Sequence, residues 1–103
     1  MKLREIAHSR TGDKGPIVNI SVIARHERDY GRLAREVTAD RVRQHLKEFT
    51  RDEVLRYELP QIGALNFVMR RAAGDTVTRS LGLDAHGKSL SSALLDMEIP
   101  DEP

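Results

Sequence analysis

The sequence predicts an α+β sandwich: one mostly antiparallel sheet with helices packed on one face. Three observations predict it. Segments of β-branched or alternating character recur irregularly at 17–23, 54–59, 65–70 and 77–84. Helical spacing appears in too few places to cover both faces of a sheet. Ala72-Ala73-Gly74-Asp75 separates two of the alternating segments, as a hairpin turn would. At 103 residues the chain is read as one domain, 1–103.

In chain order, Leu3 to Ser9 mixes apolar and polar residues and predicts an edge strand. Arg10 to Gly15 predicts a loop, because glycines at 12 and 15 permit φ > 0. Ile17 to Ile23 is β-branched and largely apolar, the composition of a buried strand. The period then lengthens, and Tyr30, Leu33, Ala34 and Val37 share one helical face. Thr38 breaks that segment and caps the next, since its hydroxyl can accept from the free N–H groups of a new helix. Val42, Leu46 and Phe49 mark the second helix's buried stripe.

Strand period returns at Val54 to Leu59, with Leu55, Tyr57 and Leu59 on one side and Arg56 and Glu58 on the other. Pro60 ends that strand, lacking the ladder N–H. Leu65, Phe67 and Met69 alternate with Asn66, Val68 and Arg70, and the segment is paired as a hairpin with 77–84. A turn at Asp84 to Gly87 leads into a final segment whose Leu90, Leu94 and Met97 have the spacing of a helix, while Leu90, Ser92 and Leu94 also fit a strand.

Composition excludes several function classes. Formal net charge is +1, with Lys and Arg interleaved among Asp and Glu, so no clustered cationic face is expected. Two Tyr, two Phe and no Trp are too few for a base-stacking platform, and no nucleic-acid partner is predicted. No cysteine is present, which removes disulfides, thiolate metal sites and cysteine nucleophiles. No apolar run approaches the roughly 20 residues of a membrane span, and MKLREIAHSR has no signal-peptide core, so the expectation is a cytoplasmic protein with no membrane partner.

The densest polar run is His8-Ser9-Arg10-Thr11-Gly12-Asp13-Lys14-Gly15, closed by Asn19. Two readings stay open. In one, backbone N–H groups converge and Arg10 and Lys14 add positive charge for a phosphate, carboxylate or thioester oxygen. In the other, the run is a turn whose Asp13 accepts local N–H bonds. Its spacing does not match a Walker phosphate loop. Asn19 lies in an apolar strand, where it pins the loop or reaches a ligand. Asn66 lies opposite the apolar face and, through the hairpin, near Asp84, His86 and Lys88. His8, His26, His45 and His86 have no metal-binding spacing, and no cofactor or metal is predicted. His8 borders the run and is a candidate general base. Ser9 is a poor partner for it, since strand neighbours point to opposite faces.

Gly12-Asp13-Lys14-Gly15, followed by Asn19-Ile20 and Val22-Ile23-Ala24-Arg25, resembles the acyclic terpene utilisation protein A (AtuA) family, specifically its C-terminal ferredoxin-like domain. Arg56-Tyr57-Glu58-Leu59-Pro60, Ala64-Leu65-Asn66-Phe67 and Leu83-Asp84-Ala85-His86-Gly87-Lys88 continue the resemblance in order. It implies a ferredoxin-like fold and a setting in acyl-CoA and acyclic terpenoid breakdown, without naming a reaction. In the family this domain follows a much larger N-terminal domain, so the resemblance implies a small stand-alone version. Pro16 departs from the acidic or polar residue often found there, and it removes one N–H donor from any anion cradle.

Two functions are carried forward. The first is an accessory or companion subunit in that catabolism, binding its own copies as a homo-oligomer or a larger AtuA-type protein. The second is a ligand-binding or catalytic site for a small carboxylate or acyl-CoA thioester. It would be built from His8, Arg10, Gly12, Asp13, Lys14, Gly15, Asn19, Asn66, Asp84 and Lys88. There Lys14 and Arg10 hold the anion, Asp13 or His8 moves a proton, and Asn19 and Asn66 orient a carbonyl. This second function requires the run and the Asn66–Lys88 segment to converge.

Overall fold

The structure, a computed structural model, describes residues 1–14, 16–50, 53–70 and 90–101. Its centre is a four-stranded sheet of β1 (Ala7–Lys14), β2 (Ile17–Ala24), β3 (Leu55–Leu59) and β4 (Ala64–Arg70), in the order β1-β2-β4-β3. Every neighbouring pair is antiparallel. Since β4 opposes both β2 and β3, those two strands run parallel with β4 between them. This is the split βαβ arrangement of ferredoxin-like folds.

The crossover from β2 to β3 carries α1 (Tyr30–Glu36) and α2 (Ala39–His45). A third helix, α3 (Leu90–Leu95), packs against β1. Thr38 Oγ1 accepts from the Arg41 backbone N–H at 3.1 Å, so the two crossover helices join through the expected cap. α3 is tied to the sheet where the Ser91 N–H donates to Thr11 Oγ1 at 2.8 Å. It is tied to α2 by His45 Nε2 against the Ala93 carbonyl at 2.7 Å.

The core lies between sheet and helices. Val18, Ile20 and Val22 stand opposite Met69, Phe67 and Leu65 across the β2–β4 ladder. All six are buried, together with Leu33, Val37, Val42, Leu46, Phe49, Leu90 and Leu94 from the helical layer. Arg32, Thr50 and Ser91 are the buried polar residues among those described, and the Thr50 hydroxyl donates to the Arg70 carbonyl at 2.8 Å. The chain's two ends close over one another: the Leu3 N–H donates to Met97 O, and the Ile99 N–H to Met1 O, each at 2.9 Å.

Three expectations are corrected. Leu3–Glu5 is a 3-10 turn, and the first strand starts only at Ala7. Arg10 to Lys14 is the second half of β1, not a loop, because its backbone pairs residue for residue with β2 down to Lys14–Ile17. The ladder offered by the β-branched partner strand outweighs the turn propensity of Gly and Asp. Finally, β4 has no free edge for a partner at 77–84, because β2 and β3 pair with it on either side over 64–68. Residues 71–89 lie outside the described residues.

Candidate functional site

Alternation along each strand sends one set of side chains into the core and the other to the opposite face. That second face has no described helix over it. It carries His8, Arg10 and Gly12 from β1, and Ile17, Asn19, Ser21 and Ile23 from β2. From β4 come Asn66, Val68 and Arg70, and from β3 Leu55, Tyr57 and Leu59. The sequence-predicted His8, Arg10, Gly12, Asn19 and Asn66 therefore share one surface, although not in a loop.

Two cross-strand rows organise the middle of this face. One runs Arg10–Ser21–Asn66–Tyr57 across all four strands. At about 4.8 Å per strand, Arg10 and Asn66 stand roughly 10 Å apart along it. The other runs Gly12–Asn19–Val68–Leu55. In that row the Asn19 amide occupies the space a side chain at 12 would take: a Cβ there would lie 3.1 Å from Nδ2 and 3.4 Å from Oδ1. Glycine at 12 thus gives the Asn19 amide room for close approach, and its backbone conformation does not call for glycine. Among the described residues only Gly63 has positive φ, at 64°.

Asn19 itself is exposed, which corrects its reading as a buried amide needing internal partners. Asn66 is half-buried, and among the described residues neither amide has a side-chain hydrogen-bond partner. Both are available to a surface placed on the sheet. His8 is exposed on this face, whereas Ser9 lies on the other and donates to the Ser21 carbonyl at 2.5 Å. The Ser–His pairing is therefore absent, as strand alternation requires. Asp13 and Lys14 are the last two residues of β1, paired with Val18 and Ile17. Gly15, Asp84 and Lys88 lie outside the described residues, as do His86 and the expected turn at 84–87.

The feature that sequence reasoning missed is the apolar margin. Leu55, Tyr57 and Leu59 are 42%, 51% and 41% exposed, and Ile62, in the 3-10 turn Pro60–Ile62, is 67% exposed. On β3 the apolar set faces outward, and the charged set lies over the helical layer. Arg56 donates to the Val37 carbonyl at 3.2 Å and pairs with Glu58 at 2.8 Å. The available signal was Leu-Arg-Tyr-Glu-Leu running straight into Pro60, the mark of a short edge strand. The face thus grades from polar and cationic at β1 to apolar at β3.

A family model described as AtuA ferredoxin-like domain matches residues 1–100. The chain belongs to that family. No curated protein and no solved structure matches it. The AtuA ferredoxin-like domain accounts for the split βαβ sheet and its one-sided helical layer.

Other features of this AtuA-type domain lie away from the open face. A groove of about 410 Å³ follows α2, lined by Asp40, Arg41, Gln44, His45, Met97 and Glu98. None of the predicted site residues lines it. Among the described residues no three His, Asp or Glu side chains gather where they could hold a metal ion, and no helix is long and apolar enough to cross a membrane.

Proposed function

We propose that this chain is an accessory domain that docks, through the open face of its sheet, onto a larger AtuA-type protein engaged in acyl-CoA or acyclic terpenoid breakdown. The observation that carries the reading is the exposed apolar margin of Leu55, Tyr57, Leu59 and Ile62 on a face without a described helix. A contiguous apolar patch rimmed by polar groups marks a protein-docking surface more often than a solvated one. Asn19, exposed, and Asn66, half-buried, lie in the middle of the face and supply the hydrogen bonds that fix orientation. The resemblance to AtuA proteins, in which this domain follows a much larger one, supports that class of partner.

The test is calorimetric titration against an AtuA-type large-domain protein from the same source. Val68 is half-buried at the centre of the face, so Val68→Lys places a charge within the contact without opening the core. Affinity is expected to fall by about tenfold or more. Absence of binding, or binding untouched by Val68→Lys, contradicts the reading.

A second reading, a site for a small carboxylate or acyl thioester, is favoured by one observation: Arg10 and Asn66 share a single cross-strand row, a cation and an amide on one line. Thermal-shift titration with acyl-CoAs and short carboxylic acids tests it. Stabilisation lost in both Arg10→Ala and Asn66→Ala supports it, and no stabilisation of the parent chain removes it.

A further inference from the structure

We propose that two copies of this chain pair through β3, antiparallel, about a two-fold axis at Tyr57. Among the described residues β3 has a strand on one side only, β4, so its other edge presents unpaired N–H and C=O groups. Such edges are ordinarily protected by a lysine, a proline within the strand, or an inward-pointing charge. β3 has no lysine or proline between Leu55 and Leu59. It does carry the third protection, since Arg56 and Glu58 point inward, but the two are of opposite sign and so oppose only those pairings that set like charges together.

That pair selects a register. A two-fold axis makes each contact reciprocal, so residue i meets j and j meets i. With the axis at Tyr57, Leu55 opposes Leu59 of the second copy, Arg56 opposes Glu58, and Tyr57 opposes itself. Each charge then meets its opposite, and the exposed leucines meet each other. Moving the axis to Arg56 or Glu58 sets like charges face to face. Parallel pairing in register does the same. A one-residue slip turns the apolar side of one copy to the opposite face of the joint sheet. Pro60 limits the pairing at its far end, having no N–H to donate.

The exposed apolar residues supply the second observation. Leu55, Tyr57, Leu59 and Ile62 all lie on β3 or the turn that follows it, so pairing joins two apolar margins into one stripe on a continuous sheet. The pairing shares these apolar residues with the docking reading, but it is read by charge changes at 56 and 58, not by Val68. Its failure leaves the docking reading standing.

Sedimentation equilibrium of the full chain tests it. A concentration-dependent monomer–dimer equilibrium is expected. Glu58→Arg and Arg56→Glu, separately, weaken it by about tenfold or more, because each turns two opposed pairs from attraction to repulsion. The double reversal Arg56→Glu with Glu58→Arg restores association to within about threefold, since the pairs are opposite in sign again. A monomer at every concentration overturns the proposal, as does a dimer indifferent to Glu58→Arg.

Arg56 also holds the Val37 carbonyl, so its variants must be shown folded by circular dichroism. A second measurement does not depend on them. The parent chain has no cysteine. Under mild oxidation Tyr57→Cys, at the axis, is expected to form covalent dimer about tenfold faster than Gln61→Cys, which the register separates from its own copy. Equal or slower cross-linking at 57 overturns the proposal.

Discussion

Gly12 and Asn19 face one another across the β1–β2 ladder, and the Asn19 amide fills the space over Gly12 to within 3.1 Å of a Cβ placed there. A methyl at 12 has to displace that amide. The amide is exposed and at the end of a side chain, so it can give way, though not without effect. Gly12→Ala alone is expected to leave stability within about 0.5 kcal/mol, the tight contact offsetting the entropy gained by restricting the unfolded chain. In an Asn19→Ala background the same change stabilises by about 0.4–1 kcal/mol. Urea unfolding of the four-member cycle checks the coupling.

Acid stability is expected to depend on Asp96. A hydrogen bond from Arg4 is the main influence holding its carboxyl below the ordinary value of 3.8, with the charges of Arg4, Lys2 and His45 assisting. A depressed folded value means that the stabilisation is complete above pH 3.8 and is lost as pH falls through the lower, folded value. Asp96→Asn should therefore be less stable near neutrality and show a shallower loss of stability below about pH 4. The Met1 amino group has the opposite sign. A hydrogen bond with Asp101 raises it above 8.0, so its contribution is complete below pH 8.0 and fades as pH rises through the raised value. Thermal unfolding midpoints against pH check both.

The junction between α1 and α2 rests on one hydroxyl. Thr38→Ala removes the acceptor of the Arg41 N–H and is expected to cost about 1 kcal/mol, within the usual range for a lost cap. Thr38→Ser keeps the acceptor and should cost much less. Denaturant midpoints of the two variants separate the hydrogen bond from the loss of a methyl group.

Two aromatic residues on adjacent strands report which face is the core. Phe67 is buried opposite Ile20, and Tyr57 is 51% exposed opposite Asn66. Phe67→Ala is expected to destabilise by about 3–5 kcal/mol. Tyr57→Ser should change monomer stability by no more than about 0.5–1 kcal/mol. Equal costs at the two positions would mean that both faces of the sheet are covered.

Much of this architecture was legible in the residues. Ile20 and Phe67 stand in runs whose period and β-branching announce buried strands, and Thr38 sits between two helical periods as a cap should. The end of β3 at Leu59 was announced by Pro60. What was not legible depended on partners distant in sequence. Arg10 to Lys14 carries turn residues, and only the ladder to Ile17–Ser21 makes it strand. Gly12 and Asn19 are seven positions apart, and their contact exists only once that ladder is in register. The alternation in Leu55 to Leu59 gave two faces, but which of them met the helices followed from the register with β4, which sets Arg56 beside Phe67 and Glu58 beside Leu65. The expected pairing of 65–70 with 77–84 followed sequence proximity, whereas over 64–68 β2, more than forty residues earlier, takes one edge of β4 and β3 the other.

The most direct measurement of the central claim is an NMR titration of the labelled chain with an AtuA-type large-domain protein. Ile23, Asn66 and Val68 on the open face, with Tyr57 at its apolar margin, are predicted to shift first and most. Val42 and Leu46 in the helical layer should stay unchanged at the same saturation. Perturbation centred on the helical layer, with Asn66 and Val68 unmoved, would contradict the account.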